Sequence, residues 1–307
     1  MSGESPLGGR RQPLWRQLLP FALAFALVGF VLSRLDLRKF VAELARVDYP
    51  AFLAFTAVFV VALVSADTFG TVVVYRRTLG RVGFVDFWLL RGAFYLPSLL
   101  NHYVGQAFIV YFLSWVYRVA FSRVVGATLL VYASWTGCLL LLGSLALWVR
   151  GDPVGWLAVV LGVGVLYLVV IAVRPAALAR WRVLAPLFEA GVGGHLVALL
   201  ARMPHVLVLF LGTWLPFFFF GVRIPFKAAA QGIPILMVIV TLPLTPQGFG
   251  TRDVAAGQLF GAFADPAAIA AATASWGVAL TLVDACLGLF LMRRAMLRLS
   301  EATAAPR

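Results

Sequence analysis

A chain of 307 residues that is 63% hydrophobic and only 12% charged, with a mean hydropathy of +0.98, is too apolar to fold as a water-soluble globule. The net charge of +13 would point to nucleic acid in a soluble domain, but the arginines fall mostly between apolar runs, where they read as topology signals and contacts for anionic lipid headgroups. No extramembrane segment is long enough for a nucleic-acid-binding module, and strand-type alternation is absent, so the chain belongs in a bilayer and crosses it as helices.

Residues 1–13 read as a cytoplasmic tail. Arg10, Arg11 and Arg16 precede or open the first apolar run, Leu14 to Ser33, with Trp15 at its interfacial edge; no small-residue cleavage site follows, so an uncleaved first span is expected. From Arg34 to Tyr49 the pattern changes. Leu37, Phe40, Val41, Leu44 and Val47 recur at helical spacing opposite Arg38, Lys39, Glu43 and Arg46, which predicts an amphipathic helix lying along the membrane surface. Ala51 to Val74 is the second span, closed by Arg76, Arg77 and Arg81.

Residues 84–116 do not fit a simple span. Phe84 to Leu96 is apolar but short, "PSLLNHYVG" intervenes at 97–105, and a second short apolar piece runs from Gln106 to Val116. Val124 to Val149, Val154 to Val173 and His205 to Val222 are uninterrupted candidate spans with Arg150, then Arg174, Arg180 and Arg182, then Arg223 and Lys227 between and after them. Residues 228–264 repeat the interrupted pattern: Ala228 to Leu242, then "PLTPQGFG" at 243–250, then Val254 to Ala264. A last span, Ala267 to Met292, is opened by Asp265 and Pro266 and closed by Arg293, Arg294 and Arg298, leaving 295–307 as a tail. The expected fold is therefore all-α: one polytopic domain over 14–294, with about six full spans plus two broken or re-entrant helices, about eight in all. Basic clusters at both ends favour two cytoplasmic termini in a bacterial-type inner membrane.

The two interruptions share a skeleton. Each begins Leu-Pro (Leu96-Pro97, Leu242-Pro243) and carries a glycine shortly after (Gly105, Gly250), which suggests an inverted internal repeat and predicts that a helix breaks at both places. Backbone groups freed at a break must pack in protein or line a watery cavity, so both become candidate substrate sites that meet around one wet pocket. At the second, Gln247, Gly248 and Gly250 lead into "TRDVAAGQLF", where Thr251 is placed to cap a helix, Asp253 complements its positive dipole end, and Arg252 offers a forked donor suited to phosphate; snorkelling of Arg252, or its pairing with Asp253, is the competing reading. At the first, Asn101, His102 and Gln106 either contact a headgroup or satisfy broken backbone. Charge in mid-membrane is costly, which makes Asp67, Arg91, Asp284 and Arg118 candidates by default: Arg91 for substrate, Asp67 and Asp284 for ion or proton coupling, with structural pairing of Arg91 to either carboxylate as the competing reading. His195 and His205 read as interfacial residues rather than metal ligands, and Cys138 and Cys286 as small apolar core residues with no metal or redox spacing. No cofactor or metal motif is recognised, and the absence of a GxxxxGK[ST] loop leaves direct ATP drive unsupported.

The stretch "PLTPQGFGTRD" at 243–253 resembles the signature of the lysylphosphatidylglycerol synthase transmembrane region, a flippase-like integral membrane family, and "YLPSLLNHYVGQAFIVYFL" at 95–113 is similar to that family's first conserved break. Asp253 stands where the family commonly has glutamate, and "QAFIVYFL" where it carries an arginine-containing segment. The resemblance implies movement of a polar-headed lipid between leaflets, the lipid being an anionic phospholipid or a polyprenyl-phosphate-linked one, without the soluble aminoacyltransferase domain of full-length synthases. Two other readings stay open: a non-transporting anchor for a lipid-modifying enzyme on another chain, and an intramembrane enzyme using Asp67 and Asp284 as an acid–base pair.

Overall fold

The computed structural model describes residues 25–26, 29–30, 33, 36–100, 102–153, 155–242, 245 and 248–304. The expected first span, Leu14 to Ser33, lies almost wholly outside these, as do Asn101, Pro243 and Gln247. The described residues are helical or connecting, with no strand among them, and five stretches are long and apolar enough to cross a membrane.

Helix α1 (Leu37–Ala45) starts at Asp36, whose carboxylate accepts the Arg38 and Lys39 amides, and presents Phe40 and Leu44 to the protein while Leu37 and Val41 stay exposed. The Asp48 carboxylate caps α2 (Tyr49–Thr78), and Pro50 occupies its first turn, where no amide is needed. Three pieces follow in place of a single span: α3 (Phe84–Ala93), a turn at Phe94, α4 (Tyr95–Leu100) and α5 (His102–Val116). Then come α6 (Phe121–Arg150), α7 (Gly155–Val173), the single turn α8 (Ala176–Ala179), and a hinged rod made of α9 (Ala185–Ala201), α10 (Met203–Trp214) and α11 (Pro216–Phe219). The second interrupted segment comprises α12 (Phe226–Thr241) and α13 (Thr251–Phe260); α14 (Pro266–Ala304) completes the chain.

Several boundaries differ from expectation for visible reasons. The hinged rod begins twenty residues before His205 because Pro204 bends the helix at Arg202 without ending it. Helix α14 carries Arg293, Arg294 and Arg298 as part of its own last turns, so the expected tail from 295 is helical as far as Ala304. Arg118 sits in the turn between α5 and α6 and is exposed, which removes it from the mid-membrane candidates.

One core cluster gathers α2 and α10 to α14 around Phe52, Phe59 and Trp276, whose rings approach to 5.2 Å between Phe59 and Trp276. A second holds α3 and α5 against α2, α6 and the C-terminal part of α14 through Tyr75, Phe87, Leu90 and Leu113. In lipid the tails are as apolar as leucine, so close packing rather than water exclusion holds such helices together, and small residues set how near they come. At Gly92 a Cβ would collide with Leu291, and at Gly70 it would lie 2.8 Å from the Ala201 carbonyl, so α3 on α14 and α2 on the rod both need glycine. Helix α7 is the reverse case: apolar on every side, with Ile171 alone buried among its residues, a surface that only hydrocarbon accommodates.

Candidate functional site

The candidate residues fall into two groups, at two levels of one helix. The lower group, at the first interruption, is an ion cluster. Asp67 on α2 lies between Arg91 at the end of α3 and Arg202 at the bend between α9 and α10: Arg91 Nε is 2.5 Å from Oδ2 and Arg202 Nη1 is 2.5 Å from Oδ1. Arg202 is 1% exposed, donates its other Nη to Thr71 Oγ1 at 2.9 Å, and is the largest fully buried side chain described. His205 Nδ1 lies 3.3 Å from the same carboxylate and its ring stacks on Trp135 at 4.6 Å. Arg91 also rests on the Phe94 ring, 4.4 Å from its centroid, and Phe94 touches His102 edge-on.

His102 and Gln106 extend this group outward. His102 Nε2 is 3.0 Å from Tyr132 Oη on α6, and Gln106 Nε2 is 3.5 Å from the same ring nitrogen. Their neighbour Tyr103 is 70% exposed, so the first interruption reaches the flank of the bundle. Gly105 does not break a helix. It lies inside α5, where a Cβ would stand 2.5 Å from the Phe94 ring, so the glycine serves close approach instead.

Of the second interruption, Thr245 and residues 248–250 are described, and none of them is α-helical. Thr245, Gly248, Gly250 and Thr251 are buried, and Gly248 and Gly250 have φ of +73° and +77°, backbone shapes that side chains with a Cβ resist. Gly250, not Thr251, is the N-cap of α13. The Gly250 amide donates to Asp253 Oδ2 at 3.0 Å, while the Thr251 hydroxyl turns back to donate to the Gly248 carbonyl at 3.0 Å and meets Thr245 Oγ1 at 3.1 Å. Asp253 thus fills the role expected of it at the helix start, and Arg252 points inward beside it: its Nη1 would stand 3.1 Å from a Cβ at Gly277 of α14. The void beside Arg252 is about 10 Å³, bounded by Phe217, Leu236, Thr273 and Trp276.

Both interruptions dock on α14. The second meets it at Gly277 through Phe249 and Arg252, the first at Gly288, where a Cβ would lie 2.8 Å from the Leu96 amide nitrogen. The two contact points are roughly three helical turns apart, about 16 Å of rise, so the breaks do not close on one shared pocket. Gly277, Thr281, Asp284 and Gly288 recur at helical spacing and share one face of α14. Asp284 therefore lies on that face between the two docking points, partly buried, with no ion pair within 4 Å among the described residues. A separate cavity of about 290 Å³ opens at the end of the bundle, between α3, α5 and α14, walled by Leu89, Leu90, Phe112 and Val116 and rimmed by Asp86, Arg298 and Glu301.

Both remaining histidines are interior, contrary to the expectation of an interfacial place. His195 bonds the Gly191 carbonyl at 2.7 Å and Tyr167 Oη at 2.8 Å, tying the rod to α7. No group of three or more metal-ligating side chains occurs among the described residues. Arg202 is the candidate residue that the sequence did not single out. Its signal was a lone arginine in "LLARMPHVLV", inside apolar sequence and two residues before a proline. Comparison with known proteins returns no matching family model, no matching curated protein and no matching solved structure.

Proposed function

We propose that this chain is a lipid translocase that lets a polar or anionic headgroup pass through the helix bundle while the acyl tails remain in lipid, without direct use of ATP. The observation that carries the reading is the ion cluster of Asp67, Arg91 and Arg202, buried among membrane-capable helices and continuous with an interruption that reaches the bundle flank. Ionised side chains at such depth are costly and persist where a polar cargo or ion must be met. The resemblance of 243–253 to the flippase-like family points the same way, and on it rests the finer architecture proposed here: about six crossings with two interrupted helices related as an inverted repeat, both packed on α14.

The orientation follows from charge. Arg76 bonds the Val82 carbonyl, Arg123 the Thr78 carbonyl and Glu189, Arg174 the Phe188 carbonyl, and Arg298 pairs with Asp86 at 3.6 Å, so these cations collect at one end of the bundle with the C-terminus. The positive-inside tendency makes that end cytoplasmic, in a bacterial-type inner membrane, with the N-terminus on the same side. Asp67 holds a guanidinium at each oxygen, which leaves it a poor general base and argues for a carrier over an intramembrane enzyme.

The test is reconstitution in liposomes with headgroup-labelled phosphatidylglycerol, following its exchange between leaflets. Exchange faster than in protein-free vesicles is expected, with Arg91→Ala slowing it about tenfold and Arg150→Ala, an exposed residue at the other end of the bundle, leaving it unchanged. Protein-free rates for both phosphatidylglycerol and a polyprenyl phosphate would replace the carrier with an anchoring partner of a lipid-modifying enzyme.

A further inference from the structure

The cavity between α3, α5 and α14 belongs to neither interruption. It encloses about 290 Å³, close to the lower bound of roughly 300 Å³ for small-molecule sites. Its floor is core: Leu90, Phe112 and Ala295 are each 2% exposed or less, with Leu89 and Val116 beside them. Helix contact alone favours closing such a space, because every wall atom facing it forfeits a packing partner.

Three charges stand at the mouth. Arg298 Nη2 lies 3.6 Å from Asp86 Oδ1 and Nη1 lies 3.9 Å from Glu301 Oε2, both too far for a hydrogen bond, and all three side chains are exposed. One guanidinium thus stands between two carboxylates and neutralises one. Helix ends add to the imbalance. The positive start of α3 at Phe84 is outnumbered by the negative ends of α5 at Val116 and α14 at Ala304. Asp86 suits the first turn of α3, but Glu301 sits in the last turn of α14, where the helix disfavours a carboxylate, so its helix gives no reason for it. The other cations of this end, Arg76, Arg118, Arg293 and Arg294 among them, are not part of the lining. An apolar hollow beneath a mouth with one carboxylate in excess is complementary to a cation that carries an apolar body.

We propose that this cavity binds a small amphiphilic ammonium ion taken from water, with its apolar part between Phe112 and Ala295 and its charged end between Asp86 and Glu301, Arg298 turning outward to make room. The exposed mouth at the end of the bundle gives a water-borne ligand its way in, and a headgroup phosphate would meet the excess carboxylate. The site shares no residue with either interruption, so it stands whether or not the chain moves lipids. A bound ammonium bridges α3 and α14 where the present pair is loose, and occupancy therefore stabilises this end of the bundle.

The experiment is thermal unfolding of the purified full chain in neutral detergent at low salt, with 4-phenylbutylammonium, its uncharged counterpart 4-phenylbutanol, the anion 4-phenylbutyrate, tetramethylammonium, or dihexanoyl phosphatidylethanolamine. 4-Phenylbutylammonium raises the melting temperature saturably, and the other four leave it unmoved. Glu301→Gln and Asp86→Asn each weaken the apparent affinity roughly tenfold, whereas Arg298→Gln, which removes the competing cation, strengthens it by about the same factor. Ala302→Trp, at a partly exposed position of the lining, fills the cavity and abolishes the shift. A wild-type protein that 4-phenylbutylammonium does not shift, a shift that survives Ala302→Trp, or an Arg298→Gln variant that binds no tighter overturns the proposal. An equal shift by 4-phenylbutanol reduces the site to an apolar crevice and overturns it too, and an equal shift by the phosphatidylethanolamine assigns the cavity to lipid and overturns the water-borne ligand. Should Asp86→Asn unfold early through its loss at the start of α3, the opposite signs expected of Glu301→Gln and Arg298→Gln decide.

Discussion

The two interruptions look alike as sequence and differ as structure. The first, around 94–100, is a bend between helices in which the following glycine stays helical and an arginine, an aromatic ring and a histidine carry the polarity outward to the flank. The second, between α12 and α13, turns on two glycines with positive φ, and its described hydroxyls bond within the loop in the interior. A Leu-Pro followed by glycine therefore marks where a helix is weakened, while the neighbouring side chains decide what the weakness becomes. Beside Phe94 and Arg91 it becomes a joint with a charged arm; beside Thr245, Thr251 and Asp253 it becomes a rigid cap.

That contrast can be broken in stages. The largest effect is expected at the joint. Asp67→Ala leaves two buried guanidinia without a carboxylate and should destabilise the protein by about 3–5 kcal/mol, read as loss of monodisperse folded protein in detergent; near-wild-type unfolding would show that the cluster is hydrated rather than buried. Gly105→Ala should cost about 1–3 kcal/mol by overpacking against Phe94, and the added change Phe94→Leu should return most of it. Gly250→Ala should cost about 1–2 kcal/mol through its left-handed backbone, with no neighbouring substitution that restores it. If Phe94→Leu fails to rescue Gly105→Ala, the two glycines act alike and the contrast falls. Asp253→Ala, which removes a single cap bond, should cost only about 1 kcal/mol.

The smallest effect lies outside the membrane, where the amide of Ala267 and, more weakly, Lys39 hold the exposed Asp265 carboxyl below its ordinary range. A lowered carboxyl contributes its stability above the ordinary carboxylate pKa and loses it as pH falls through the lowered value. Acid titration should therefore loosen α1 from the start of α14 before the core melts, seen as faster amide exchange at residues 37–45, and Asp265→Asn should remove that pH dependence.

Hydropathy alone located most of the helices, because a span must be apolar over its whole length and nothing else in a chain looks like that. The interrupted segments at 84–116 and 228–264 were legible for the same reason, being apolar yet too short on either side of a proline. Two things were not. The partner of Asp67 depended on which helices pack side by side, and periodicity carries no such information: Arg91 had two carboxylates to choose from on paper and takes Asp67 in space. Arg202 was hidden by its surroundings, since Arg180, Arg182 and Pro204 made 174–204 read as a connection. Its burial, and that of His205 beside it, follows from the bend that Pro204 introduces, a long-range consequence of a local rule.

The segmented rod Ala185–Phe219 spans 35 residues. Drawn straight it would measure about 52 Å, far beyond a hydrocarbon slab about 30 Å thick. Its departure at Gly191, where the backbone leaves helical geometry, and its helix boundaries at Arg202 and Leu215 divide that length into shorter pieces instead of one straight rod. Surplus contour is thereby divided, and a guanidinium is delivered to a depth that a helix of ordinary length, ending at its own interface, would never supply with a permanent cation.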